Sequence, residues 1–206
     1  MLKKSEPPHV GCYGFENGFI KLTIATNDGQ FVARYSEKGL AELDFPPAGR
    51  ASSLHGRRRG NESQISSADS ASVKDSSRRL LQAKVRNWHR AAAAALENIL
   101  AGREPKHFPP MDLVGTVFQK KVWNALRKIS PGKTKSYGEI AQAIGKPKAV
   151  RAVGGACGAN PIPVLVPCHR VLAANHKLGG FSGGLDWKRK LLAREDVCLP
   201  PQSRHH

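Results

Sequence analysis

The chain has 206 residues, room for one large or two small domains, and its 40% apolar and 24% charged content suits a folded globular protein. A formal net charge of +17 points to a polyanionic partner, either nucleic acid or an anionic membrane surface. No apolar run approaches the roughly 20 residues of a spanning helix, Met1 to Pro8 lacks a signal-peptide apolar core, and the four cysteines Cys12, Cys157, Cys168 and Cys198 are too scattered for a disulfide framework. A soluble, intracellular, cytoplasmic protein with no membrane association is therefore expected.

Phe19–Thr26 and Gln30–Tyr35 read as β-strands joined by a turn at Asn27-Asp28-Gly29, since Asp-Gly between alternating β-formers is a strong hairpin signal. A turn at Lys38-Gly39 leads to a third strand, Leu40–Phe45. From about residue 47 to 79 the composition changes, with Arg57-Arg58-Arg59, many serines and no aromatic residue. Such a segment buries too little apolar surface to offset its ordering entropy, and it is expected to be a disordered insert. Order resumes at Leu80, and the Ala-rich stretch Trp88 to Ala101 predicts a helix ended by Gly102. Arg103 to Pro110, with three prolines, reads as an interdomain linker. The expected division is a first domain over 1–105, a second over 106–198 and a tail over 199–206. Residues 107–206 carry 16 basic and 5 acidic residues, so the second half is the more basic.

The second half opens with an amphipathic helix from Thr116 to Ile129, with Val117, Val122, Trp123, Leu126 and Ile129 on its apolar face. Ser136 and Glu139 form a capping box for a helix from Tyr137 to Ile144. Gly145-Lys146-Pro147 is a turn, and a third helix starts at Lys148. Helix, short turn and helix give a helix-turn-helix shape. The third helix is rich in small residues, Ala149, Ala152, Gly154, Gly155 and Ala156, which allow either close packing within the domain or close approach of a partner.

In Asn160 to Val171, Pro161, Pro163 and Pro167 fix φ and remove backbone donors, which predicts a short extended segment presenting Cys168. His169 and Arg170 beside it can favour the thiolate, the nucleophilic form of a cysteine. A small buried hydrophobe is the competing reading. No pair of cysteines has zinc-ligand spacing.

Pro167-Cys168-His169-Arg170-Val171, preceded by Asn160-Pro161 and followed by Gly179-Gly180-Phe181-Ser182-Gly183-Gly184, resembles the active-site signature of the O6-alkylguanine-DNA alkyltransferases, or methylated-DNA–protein-cysteine methyltransferases. The resemblance runs without a gap from about Thr116 to about Glu195 and only loosely through the first hundred residues. It implies an α+β protein, with a ribonuclease-H-like N-terminal domain and a mainly helical, helix-turn-helix-containing C-terminal domain. The implied activity is DNA repair by direct, single-turnover transfer of an alkyl group from guanine O6, or from O4-alkylthymine, to a cysteine. The partner would be double-stranded DNA containing alkylated guanine, bound by a monomer that needs no cofactor and lies wherever its DNA lies, nucleoid or nucleus. Some relatives carry zinc in the first domain; with Cys12 the only cysteine before residue 157, no metal is expected.

By the same resemblance Cys168 accepts the alkyl group, His169 takes the thiol proton through a water, Glu195 orients His169, and Tyr137 protonates the departing base. Arg151 fills the gap left by an extruded base, on a helix whose small residues Ala149, Ala152 and Gly154 fit the minor groove. Asn160 holds the turn to the active-site segment, Ser182 offers its N–H to O6, and the Cys168 and Val171 carbonyls accept from the exocyclic amine. Phe181, where the family usually has tyrosine, is an apolar wall. Two alternatives stand beside this reading. One is a non-catalytic, damage-sensing alkyltransferase-like DNA-binding protein, whose relatives lack the cysteine; the other is a cysteine hydrolase, which the basic helix-turn-helix does not suit.

Overall fold

The computed structural model describes residues 14–16, 18–47 and 71–199. It is an α+β structure in which a four-stranded antiparallel meander precedes a set of helices. The strands β1 (Gly14–Glu16), β2 (Phe19–Thr26), β3 (Gly29–Ser36) and β4 (Gly39–Asp44) are neighbours in chain order. Ile24 pairs with Phe31 and Thr26 with Gly29, which closes the hairpin at Asn27-Asp28. Alternation puts Ile20, Leu22 and Ile24 of β2 and Phe31, Ala33 and Tyr35 of β3 on the buried face.

Helix α1 (Ala71–Leu100) covers that face with Val85, Ala92, Leu96 and Ile99, which recur at helical spacing. It starts well before Leu80, so residues 71–79 of the expected insert are helical; residues 48–70 lie outside those described. Once the packed half of a helix is nucleated, each further residue adds a hydrogen bond at little cost, and no glycine or proline interrupts 71–79.

The stretch after α1 lies on the sheet. The Leu40 N–H bonds the Pro110 carbonyl and the Asp112 N–H bonds the Leu40 carbonyl, both at 2.8 Å, along the outer edge of β4. Gly39 allows this approach, since a Cβ there would lie 2.3 Å from the Pro110 oxygen.

Helices α2 (Val117–Leu126), α3 (Tyr137–Ala143) and α4 (Val150–Gly158) form the expected helix-turn-helix region. Capping boxes start α2, at Thr116 and Gln119, and α3, at Ser136 and Glu139. Trp123 fixes α2 to α4: it is 1% exposed, and its indole N–H reaches the Ala156 carbonyl at 2.8 Å. A parallel pair, β5 (Lys135–Ser136) with β6 (Val171–Leu172), ties the start of α3 to the segment leaving Cys168. Helix α5 (Leu185–Arg194) follows. One apolar cluster runs from Ile20 to Leu191 through sheet and helices alike. Among the described residues no helix is long and apolar enough to cross a membrane.

Candidate active site

The segment from Asn160 to Val171 is folded back on itself rather than extended. Val164 adopts φ 73°, costly for a β-branched residue at about 1–3 kcal/mol, and the Val166 N–H closes the turn on the Ile162 carbonyl at 2.9 Å. Asn160 organises this turn from inside. Its Oδ1 accepts from the Ile162 N–H at 3.1 Å, while Nδ2 donates to the Val166 carbonyl at 2.8 Å and to Cys168 Sγ at 3.1 Å. Cys168, His169 and Arg170 then form a single 3-10 turn, all buried. The three prolines exclude a helix through the run, and the Asn160 side chain makes the bend that they alone do not.

The turn separates the side chains that sequence placed together. Cys168 is 3% exposed, and burial pushes its thiol up to about 11, against the opposing effects of the Asn160 amide and the Lys188 ammonium. His169 and Arg170, expected to favour the thiolate, instead face Glu195. The cation nearest in effect to the sulfur is Lys188, which sequence reading missed. It is fully buried on α5, and its Nζ donates to the carbonyls of Val171 at 2.6 Å, Gly180 at 3.4 Å and Leu178. Burial brings it down to about 8. The readable signal was a lysine one turn before Leu191 and Leu192, on the apolar stripe of a helix.

Glu195 caps α5 and collects four donor groups. His169 Nε2 lies 3.0 Å from Oε1, Arg170 Nη2 2.8 Å from Oε1, Arg170 Nε 3.1 and 3.0 Å from the two oxygens, and the Gly132 N–H 3.2 Å from Oε2. Arg170 is anchored in turn by Nη1 on the Ile129 carbonyl at 2.6 Å. Burial alone would raise the Glu195 carboxyl, yet the bonds from His169 and Arg170 bring it to about 2. Burial lowers His169, against the pull of Glu195. An ionised Glu195 requires the proton of neutral His169 on Nε2, which leaves the lone pair on Nδ1. Nδ1 is the buried side-chain polar atom without a partner among the described residues.

Tyr137, half-buried at the start of α3, packs against the Gly179–Gly184 loop. A Cβ on Gly179, where φ is +65°, would lie 2.8 Å from its hydroxyl. Burial raises the Tyr137 hydroxyl, with Cys157 and Cys168 adding to the effect. Phe181 stands between His169 and Phe45, with ring centroids 6.4 and 5.6 Å away. Phe45 also packs beneath Gly183, where a Cβ would meet its ring at 2.5 Å. Ser182 is exposed. Val171 is buried, its carbonyl already receiving Lys188.

Helix α4 faces outward beside this cluster. Arg151, Ala152 and Gly155 are exposed, and Ala149 precedes the helix without a side-chain cap. Among the described residues a Cβ on Gly155 or Gly158 would meet nothing within 4 Å, and one on Gly154 would make ordinary contact with Tyr137 at 3.9 Å. Packing among the described residues therefore does not demand these glycines. Cys168, Asn160, His169 and Glu195 are linked through hydrogen bonds in two groups, with Tyr137 against the loop that carries Phe181. Arg151, Ala149 and Ala152 lie apart, on the adjoining surface.

A profile of the 6-O-methylguanine DNA methyltransferase DNA-binding domain matches residues 117–197. The methylated-DNA–protein-cysteine methyltransferase of Methanosarcina acetivorans is 51% identical over 111 residues, which are 54% of this chain and 71% of that one. The inducible enzyme of that name from Bacillus subtilis is 48% identical over 103 residues, 50% of this chain and 58% of its own. The crystal structure of Mycobacterium tuberculosis OGT in complex with DNA superposes with a TM-score of 0.56 at 35% identity, covering 84% of this chain and 90% of that one. The chain belongs to the methylated-DNA–protein-cysteine methyltransferase family.

Proposed function

We propose that Cys168 is the acceptor in direct repair of O6-alkylguanine in duplex DNA, with one alkyl group taken per molecule. The observation that carries this is the buried thiol bonded to Asn160 next to the His169–Glu195–Arg170 cluster, in a chain whose family activity is DNA repair by alkyl transfer to a protein cysteine.

His169, neutral and protonated on Nε2, takes the Cys168 proton at Nδ1 through a bridging water. Glu195 stabilises the resulting imidazolium, and Arg170 keeps Glu195 ionised. The thiolate, steadied by Asn160 and Lys188, attacks the alkyl carbon opposite O6; the carbon–oxygen bond breaks and its electron pair stays with the guanine. Tyr137 gives the departing base a proton and regains one from solvent, to which His169 releases the proton it took from Cys168. The products are an S-alkylcysteine and an unmodified guanine. An electrostatic reason favours this division of labour. A thiol held near 11 is inert in the resting protein, so ionisation is coupled to the base that removes the proton.

Reaching O6 requires taking the nucleotide out of the stack. The exposed small-residue face of α4 suits close backbone approach to the minor groove, its uncapped N-terminus suits a phosphate, and Arg151, exposed on the same helix, supplies the planar cation that fills the vacated stack. Phe181 and Tyr137 wall the base pocket, Ser182 offers its N–H to O6, and the Cys168 and Val171 carbonyls accept from the exocyclic amine. The protein acts as a monomer on double-stranded DNA.

Incubation with a duplex containing one O6-methylguanine, followed by peptide mass spectrometry, is expected to find a single methyl on the Cys168 peptide. Cys168→Ser is expected to bind DNA and transfer nothing. A methyl group on Cys157 or Cys198, or transfer by the Ser variant, overturns the assignment.

A further inference from the structure

The end of α5 is held by residues from the other half of the chain. Arg194 Nη1 and Nη2 donate to Asp28 Oδ2 and Oδ1 at 2.5 and 2.9 Å, and Lys190 Nζ, one turn earlier, lies 2.6 Å from Oδ1. Asp28 sits in the turn between β2 and β3, and its side chain is 8% exposed. The hydrogen bond to Arg194, above all, brings its carboxyl down to about 2. A planar guanidinium on both oxygens of a carboxylate fixes orientation as well as distance.

A second contact falls on the same peptide. Gly102, at the end of α1, has φ +72°, and a Cβ there would lie 1.9 Å from the Arg194 carbonyl oxygen. Glu195, the next residue, is the carboxylate that receives His169 and Arg170. Two elements of the N-terminal half thus bear on the backbone that carries Glu195.

We propose that Asp28 is a positioning residue for alkyl transfer: by gripping Arg194 it sets the end of α5 and so the place of the Glu195 carboxylate that orients His169. The proposal rests on the reading of Cys168 and His169 given above. The Asp28 carboxylate is nearly buried and takes both Arg194 and Lys190, so what it sets is the place of this stretch of backbone. A displacement of about 1 Å in a catalytic constellation can cost on the order of 100-fold in rate.

Single-turnover transfer from an O6-methylguanine duplex separates a rate constant from an amplitude, the moles of methyl accepted per mole of protein. Asp28→Asn is expected to lower the rate constant about tenfold, with amplitude and duplex Kd within about twofold of the unchanged protein. Free O6-benzylguanine, which bypasses DNA binding, is expected to show the same loss, and Asp28→Glu to recover most of the rate. In the absence of any substrate, the proton NMR resonance of His169 Nε2–H is expected to shift or exchange faster in Asp28→Asn. That signal tests Asp28 even if Cys168 proves not to be the acceptor, which the unchanged protein alone decides.

An Asp28→Asn rate constant equal to that of the unchanged protein, with an unmoved His169 resonance, overturns the proposal. A loss confined to amplitude and Tm also overturns it, since that marks a strut between the halves and nothing more. Should Asp28→Asn fail to fold, Arg194→Lys keeps the charge, loses the fork and is expected to show the same fall in rate constant.

Discussion

Arg170 grips Glu195 from the adjacent turn, with Nη2 2.8 Å from Oε1 and Nε 3.0 Å from Oε2, while its other nitrogen, Nη1, is committed to the Ile129 carbonyl. A lysine cannot reproduce this, having one ammonium for three directions. Arg170→Ala leaves a buried carboxylate short of its main partner, and about 3–5 kcal/mol of stability is expected to be lost. Urea unfolding, with the midpoint and slope compared, checks this.

The same carboxylate sets an acid limit. Its folded value of about 2 lies below the ordinary 4.5. The unfolded chain therefore binds more protons between those values, and the stabilisation from Glu195 is full above pH 4.5 and lost as pH falls toward 2. The stability difference between the unchanged protein and Glu195→Gln is expected to shrink across that window. A difference independent of pH would show that the charge of Glu195 is not what the site uses.

Asn160→Ala removes the side-chain donor to Cys168 and leaves the Val166 carbonyl without it. The thiol, already pushed to about 11 by burial, is expected to move further up. Each pKa unit is tenfold in thiolate, so alkyl transfer at neutral pH should slow by on the order of 10-fold, with its pH profile displaced toward alkali. Single-turnover rates between pH 6 and 9 read both effects.

Arg151 projects from the exposed face of α4 with no hydrogen bond or ion pair to a described residue. Were it a plain phosphate contact, Arg151→Ala would weaken binding to all DNA and lower the salt slope by about 1. If it fills the vacated stack, as proposed, its loss is expected to slow transfer strongly from a paired duplex and much less from free O6-alkylguanine or a mismatched site, where extrusion is cheaper. Arg151→Lys should recover little, lacking the planar face.

The elements that declared themselves in sequence are those whose signals are local. The Asn27-Asp28 hairpin, the Ser136–Glu139 capping box and the turn at Gly145-Lys146-Pro147 are each written within a few residues, and the structure has them. Asn160 and Glu195 were reached through motif resemblance, and in the structure they hydrogen-bond Cys168 and His169. What stayed hidden depends on chain separation or on brevity. Asp28 and Arg194 are 166 residues apart. Phe45 meets Phe181 across the two halves. The two-residue strands β5 and β6 are too short for any periodicity. The folding back of Pro161–Pro167 depends on one asparagine side chain, and prolines report only what a backbone is unable to do. The early start of α1 reflects helix propagation from a packed end, which composition alone does not register.

The segment 110–112 laid along β4 also bears on how the protein is made. An edge strand offers unpaired N–H and C=O groups to any other chain that can pair with them, a hazard for aggregation. Here Leu40 is bonded to Pro110 and Asp112, and the Leu43 N–H to the Pro161 carbonyl, so this selvedge is finished by residues that leave the ribosome well after the sheet itself. Until then the nascent sheet is expected to leave β4 open to pairing. A fragment ending near residue 105 would keep that edge open for good and should self-associate, whereas the full chain hems it with its own later backbone.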